Sequence, residues 1–169
     1  MINYLKKLYN DIRNPQLTLI EIDENDSYMK KELLSFMYEF DKDNIDIMAD
    51  YQDVFTDRPR PNVDYMFGEN RILWMIQYGR KNIGFVNIVF DRREFMNGIG
   101  IKYIFITKNY RNKGYGKQIL SMVLNIIRAD YPDKTQVALN VLSCNTAAKK
   151  VYRDLGFEPV SEVMKLKLK

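Results

Sequence analysis

Seven consecutive residues, Arg111-Asn112-Lys113-Gly114-Tyr115-Gly116-Lys117, set three cations around two glycines. These residue types suit an anion. Glycine lets a backbone approach a phosphate closely and adopt positive φ. A helix starting here would add unpaired N–H groups and the positive end of its dipole. The chemistry implied is recognition of a phosphate-bearing ligand. Arg111, beside Tyr110, can contact the phosphate or serve as a capping charge. Three polar residues lie further on. Cys144 is the only cysteine, and the chain has no histidine to activate it, so it reads as structural. Asn145 is a natural N-cap. Tyr152 stands four residues after Ala148 and three before Leu155, the spacing of a core aromatic.

The elements that must hold these groups are legible in the patterning. Ile99 to Ile106 is an apolar strand that empties into the glycine loop, and the helix Gly116–Arg128 carries a wide stripe of Ile119, Leu120, Val123, Leu124, Ile126 and Ile127. Upstream, 71–78 and 83–90 read as strands joined by the turn Gly79–Asn82, making an antiparallel meander with the strand at Ile99. All three are apolar on both faces, so the sheet should be covered on both sides. Downstream, Gln136–Leu142 is a strand, expected parallel to its predecessor. Thr146–Leu155 is a helix stopped by Gly156, and Phe157–Leu168 supplies one last strand, or two with a bend at Pro159. Before the meander come a short helix within 1–14 ended by Pro15, a strand at 17–22, and a helix capped by Asp26 or Ser27 running to about Phe40. A second short helix covers 45–51, and 54–70 is irregular around Pro59 and Pro61.

The chain has 169 residues, 46% hydrophobic and 28% charged, which fits one domain over 1–169 with residues 1–16 as an N-terminal helical extension. Lack of histidine and of a second cysteine argues against a metal site and a disulfide, and for a reduced, cytoplasmic setting. No apolar run approaches membrane-spanning length, so no membrane partner is expected. Charge is unevenly placed. Residues 21–57 hold 12 acidic and 3 basic side chains, whereas 58–169 hold 9 acidic and 20 basic. Either both are solvated faces, or the molecule is bipolar, with one half for an anionic ligand and the other for a cationic one.

Established nucleotide loops do not fit. A dinucleotide fingerprint would need a third glycine, and a P-loop would need a hydroxyl where Gln118 follows Lys117. Arg111-x-x-Gly114-x-Gly116, after an apolar strand and opening a helix, instead resembles the Arg/Gln-x-x-Gly-x-Gly/Ala motif of the GCN5-related N-acetyltransferases. Downstream, 140–157 resembles that family's second block, with Asn145, two alanines, Tyr152 and a Gly156-Phe157 ending. The strong resemblance spans about 99–160 and is only architectural over 17–98.

The resemblance implies an α+β fold with a mixed, mostly antiparallel sheet of six or seven strands, splayed at the centre, with helices on both faces. It implies acetyl-coenzyme A as co-substrate and no metal. Pyrophosphate would sit on Asn112, Lys113, Gly114, Tyr115, Gly116 and Lys117, with Arg111 supporting the loop. Pantetheine would lie along Ile104, Phe105 and Ile106 at a bulged, splayed strand, where freed backbone groups can bind amides and an oxyanion. Asn145 would bond the cofactor, and Tyr152 would give a proton to the departing thiolate. Many members place an acid at the positions of Asn140 or Tyr103. Here neither is one, which leaves Asp64, Glu69, Asp91 and Glu94 as distant candidates for the base. The acceptor would be a small-molecule or peptide primary amine, and the acidic stretch 21–57 points to a cationic one such as a polyamine, an aminoglycoside or a basic N-terminus. A homodimer is compatible with this reading. A non-catalytic acyl-coenzyme A binding module is the rival. A nucleic-acid binder, suggested by a pI near 9.0, lacks a recognition module, so no nucleic-acid partner is expected.

Overall fold

A computed structural model of the chain describes residues 16–47, 62–90, 98–162, 164 and 166. Five strands form one sheet in the order β1 (Leu17–Glu21), β2 (Arg71–Tyr78), β3 (Lys81–Val89), β4 (Ile99–Ile106) and β5 (Val137–Leu139). The first four pair antiparallel, and β5 runs parallel to β4. Three helices accompany them: α1 (Ser27–Ile47), α2 (Tyr115–Asp130) and α3 (Thr146–Asp154).

Each face of the sheet has its own core. On one, Ile76, Val86, Ile88 and Ile99 meet Ile119, Leu120, Val123 and Ile127 of α2. On the other, Met75, Phe85 and Phe105 meet Leu33 and Met37 of α1, with Met66 from a short 3-10 turn at Asp64–Met66. The doubly apolar strands of the meander are thus explained, since a strand covered on both sides has no solvent face to mark.

The elements differ from the sequence reading in five places. β3 begins at Lys81 and ends at Val89 instead of running 83–90, so Gly79–Arg80 alone make the turn. The sheet has five strands among the described residues, not six or seven. β5 stops at Leu139 instead of Leu142, because its neighbour β4 bulges just beyond their last pair. No strand forms over 157–162. Pro159 cannot donate to a ladder there, and Val160 is 92% exposed. Residues 163, 165, 167 and 168 of the expected final strand lie outside the described residues. Finally, α1 does not end at Phe40. It continues to Ile47 because Glu39 and Asp43 find partners on the loop after β4, which one-dimensional patterning cannot reveal. Asp26 caps it, its Oδ1 accepting from Met29 N–H at 2.9 Å. The expected helix within 1–14, the tail of the expected second helix at 48–51, and the irregular residues 54–61 lie outside the described residues.

Candidate functional site

β4 carries two different ladders. Ile99 N–H donates to the Gln136 carbonyl at 3.1 Å, so the backbone of residues 99 and 101 faces β5. Thr107 N–H donates to the Ile83 carbonyl at 2.8 Å, so odd residues at the far end face β3. The switch is a one-residue bulge: Asn87 stands opposite Tyr103 and Ile88 opposite Ile101, and the register skips Lys102. Alternate residues of a strand turn their backbone groups to opposite sides. Past the bulge it is therefore Ile104 and Ile106 that face the side β5 has left, since β5 pairs no further than Leu139 with Ile101. Among the described residues the result is an open backbone edge, of which the Ile106 carbonyl is taken by Arg111 Nε at 2.5 Å.

This edge leads directly to the glycine loop. A 3-10 turn covers Lys108–Tyr110, Asn112 has φ +60, and Gly114 has φ +79 as the N-cap of α2. The helix geometry leaves the N–H groups of Tyr115, Gly116 and Lys117 without intrahelical acceptors. The first intrahelical bond runs from Gln118 N–H to the Gly114 carbonyl at 3.2 Å. All three loop cations already have partners. Arg111 lies on Ile106 and on Asp43, and Lys113 Nζ donates to the Asn109 carbonyl at 2.9 Å. Lys117, half exposed, stands 3.9 Å from Asp154. The anion-attracting character of the turn therefore comes mainly from backbone N–H groups and the helix dipole.

The left-handed residue gives a first expected result. A Cβ on Gly114 would meet nothing nearer than the Gln118 side chain at 3.9 Å, so its conformation, not space, sets the cost. Gly114→Ala should lose about 1 kcal/mol of stability and bind phosphate-bearing ligands more weakly. Thermal unfolding and titration check this, and an unchanged melting temperature would show that the turn relaxes freely.

On α3, Asn145 does cap its helix: Oδ1 accepts from Ala148 N–H at 3.1 Å. That leaves the amide N–H groups of its side chain for another acceptor. Tyr152 packs on Phe157, ring centres 5.9 Å apart, and its hydroxyl has no hydrogen-bond partner among the described residues. Burial pushes its phenol above the ordinary tyrosine value. α3 lies against α2, so Tyr152 belongs to the core on the α2 face. Cys144 is exposed.

The opposite face of β4 presents Tyr103 and Phe105 toward α1. Tyr65 donates its hydroxyl hydrogen bond to the Tyr103 hydroxyl at 3.1 Å, and Phe40 meets the Tyr103 ring edge-on at 5.5 Å. Burial, then the bond to Tyr103, raises the Tyr65 phenol strongly. Among the proposed bases, Asp64 pairs with Lys30 at 3.3 Å. Glu69 lines a cavity of about 340 Å³ with Glu21, Glu24, Phe67 and Arg71, at the end of the sheet away from the glycine loop. Asp91 and Glu94 lie outside the described residues. Asn140 is exposed just after β5.

Three residues of this region escaped the sequence reading. Tyr65 left no signal, since it stands in a segment that looked irregular. Glu39 and Asp43 left a faint one, being four residues apart on one helical face. Asp43 is almost buried and holds Lys108 Nζ at 3.0 Å and Arg111 Nη2 at 2.5 Å. Burial works against its charge, but the two cations outweigh it and hold the carboxyl below the usual range. Its contribution to stability is thus present at neutral pH and is lost only as pH falls through that lowered value.

The family model described as "Acetyltransferase (GNAT) family" matches residues 32–157. A tetramutant of the BH1408 protein from Bacillus halodurans superposes with a TM-score of 0.72 at 17% identity, over 89% of this chain and 99% of that one. An aminoglycoside acetyltransferase from an uncultured soil metagenomic sample, in complex with sisomicin, gives 0.64 at 11%, over 90% and 95%. The ribosomal-protein-alanine N-acetyltransferase of Brucella melitensis gives 0.58 at 12%, over 90% and 100%. At these identities the likeness is one of fold.

Proposed function

Because the chain belongs to the GNAT acetyltransferase family, we propose that it transfers acetyl from acetyl-coenzyme A to a primary amine by direct attack. The observation that carries this reading is the open edge of β4 past Lys102, running straight into the left-handed Gly114 and the N-terminus of α2. An edge that offers backbone donors and acceptors suits the two amides of pantetheine, and a glycine turn at a helix N-terminus suits pyrophosphate. These residues fit the co-substrate on their own chemistry.

Bound acetyl-coenzyme A supplies an activated thioester. The chain's part is to hold and to polarise. Ile104 and Ile106 fix the pantetheine arm as an added strand, and Asn112 to Lys117 hold the phosphates. The Asn145 amide group donates to the cofactor while its oxygen caps α3. A backbone N–H of the open edge stabilises the oxyanion formed on attack. As the C–N bond forms and the C–S bond breaks, Tyr152, kept protonated by burial, gives its proton to the leaving sulfur, and the proton lost by the amine nitrogen passes through water to restore the phenol. Co-localising amine and thioester contributes much of the rate. No covalent enzyme intermediate is invoked, consistent with an exposed Cys144 and a chain without histidine.

The acceptor approaches from the α1 face, past Tyr103 and Tyr65. We propose a cationic amine such as an aminoglycoside, a polyamine or a peptide N-terminus. Glu21, Asp23, Glu24, Asp26 and Asp46 are exposed around α1 and supply the attraction. One observation favours the rival, a binder without turnover: Asn140 cannot titrate and Asp64 is paired with Lys30.

The test has two stages. At a hundredfold excess over Kd, acetyl-coenzyme A should raise the melting temperature by about 5–10 °C. An amine panel read by free thiol should then show turnover best with cations and weakening as salt rises. A shift without thiol release from any amine would favour the binder. No shift at all would end the coenzyme A reading, and indifference to amine charge would end the cationic one.

A further inference from the structure

The turn between β4 and the glycine loop is fastened to α1 by side-chain hydrogen bonds and ion pairs. Asp43, 8% exposed, divides its carboxylate between Lys108 Nζ on Oδ1 at 3.0 Å and Arg111 Nη2 on Oδ2 at 2.5 Å. Arg111 reaches back with Nε to the carbonyl of Ile106 at 2.5 Å, and its guanidinium lies 5.1 Å from the Phe105 ring centre. One helical turn earlier, Glu39 accepts from Thr107 Oγ1 at 2.8 and 2.9 Å and from Lys108 N–H at 3.3 Å. Ile106, Thr107, Lys108 and Arg111 are thus all tied to one helix. A nearly buried carboxylate is a costly way to add stability alone, because desolvation offsets most of the attraction. A planar guanidinium held at two of its nitrogens fixes direction, which a hydrophobic contact cannot.

We propose that Asp43 is a positioning residue: through Arg111 it sets the end of β4 and the glycine loop in the geometry that receives acetyl-coenzyme A, and it couples that loop to α1. Arg111 then serves the anion through the loop it braces and not as a direct ligand. The inference rests on the reading of the loop as the coenzyme A site. It adds that site and α1, the helix bordering the opposite face of β4, to one mechanical unit. Cofactor binding at the loop should therefore stiffen α1.

Asp43→Asn keeps the size and removes the charge. The Kd for acetyl-coenzyme A is expected to rise about tenfold. kcat at saturating cofactor should change by less than about threefold, and KM for the amine should stay put, since preorganisation and not chemistry is lost. In hydrogen exchange, acetyl-coenzyme A should protect the amides of residues 36–47 in the wild type and not in the variant. Arg111→Lys keeps a cation near Asp43 but cannot also reach Ile106, so it should show the same loss, and the double variant should be no worse than either single one. Arg111→Lys carries the test if Asp43→Asn unfolds. Asp133→Asn, at a surface pair with Lys134, is the control and should bind normally. Unchanged affinity in the Asp43 and Arg111 variants, additive losses, or no ligand-induced protection of α1 would overturn the proposal. A wild type that binds no acetyl-coenzyme A would remove the underlying reading and the inference together.

Discussion

Tyr152→Phe is expected to lower kcat by about 100-fold or more while leaving the Kd for acetyl-coenzyme A and the melting temperature nearly unchanged. The split follows from the surroundings of the side chain. Its ring packs against Phe157 and within the α2-face core, and phenylalanine preserves that packing. Its hydroxyl has no hydrogen-bond partner among the described residues, so its removal breaks no bond among them. Removing the hydroxyl leaves the described packing intact, and on the proposed reading its use lies in the reaction. The departing thiolate is the group that needs a proton, and burial keeps the phenol protonated. It follows that kcat should not fall between pH 7 and 9 on account of Tyr152, because its titration lies above the ordinary value of about 10. Steady-state kinetics with a saturating amine, together with a melting curve, make the comparison. Full activity in the phenylalanine variant would take this tyrosine out of the mechanism.

The second large effect is on the fold. Gly84 lies on β3 opposite Ile106, and a Cβ built there would stand 2.0 Å from the Phe105 carbonyl oxygen and 2.9 Å from its carbon. Both are backbone atoms, so relief requires β3 and β4 to move apart. Gly84→Ala should therefore cost about 3 kcal/mol or more, lowering the melting temperature by about 10 °C. It should also weaken cofactor binding, because the displaced segment carries the carbonyl that Arg111 holds. Gly116→Ala is the useful contrast. Its nearest neighbour would be the Ile106 side chain at 3.9 Å and it lies within α2, so stability should hold or improve slightly. Equal melting temperatures for the two variants would contradict the close-approach argument.

Much of this was readable in one dimension, and the reasons differ by element. β2 and β4 were delimited correctly because apolar runs between turn residues carry their own boundaries. The glycine loop was found because Gly114 marks a left-handed backbone requirement that no other residue meets as cheaply. Asn145 was recognised as a cap because capping is local. What escaped was non-local. The extension of α1 depends on Asp43 meeting Lys108 and Arg111, more than sixty residues away. The pairing of Tyr65 with Tyr103 joins an irregular turn to a strand. The charge asymmetry was visible, but its meaning was not: Glu39 and Asp43, counted within an acidic patch, are turned inward onto the loop. Only the acids left exposed around α1 can attract a cationic acceptor.

The bulge at Lys102 has a consequence for the solution behaviour of the protein. By turning Ile104 and Ile106 toward a side where β5 no longer runs, it leaves, among the described residues, backbone groups of Ile104 and the Ile106 N–H that an extended chain can complete. Such edges are where folded proteins begin to associate with one another. On the proposed reading the natural occupant is pantetheine, a strand mimic that cannot propagate a sheet. On that reading acetyl-coenzyme A should also slow self-association of the ligand-free protein, which light scattering with and without it checks.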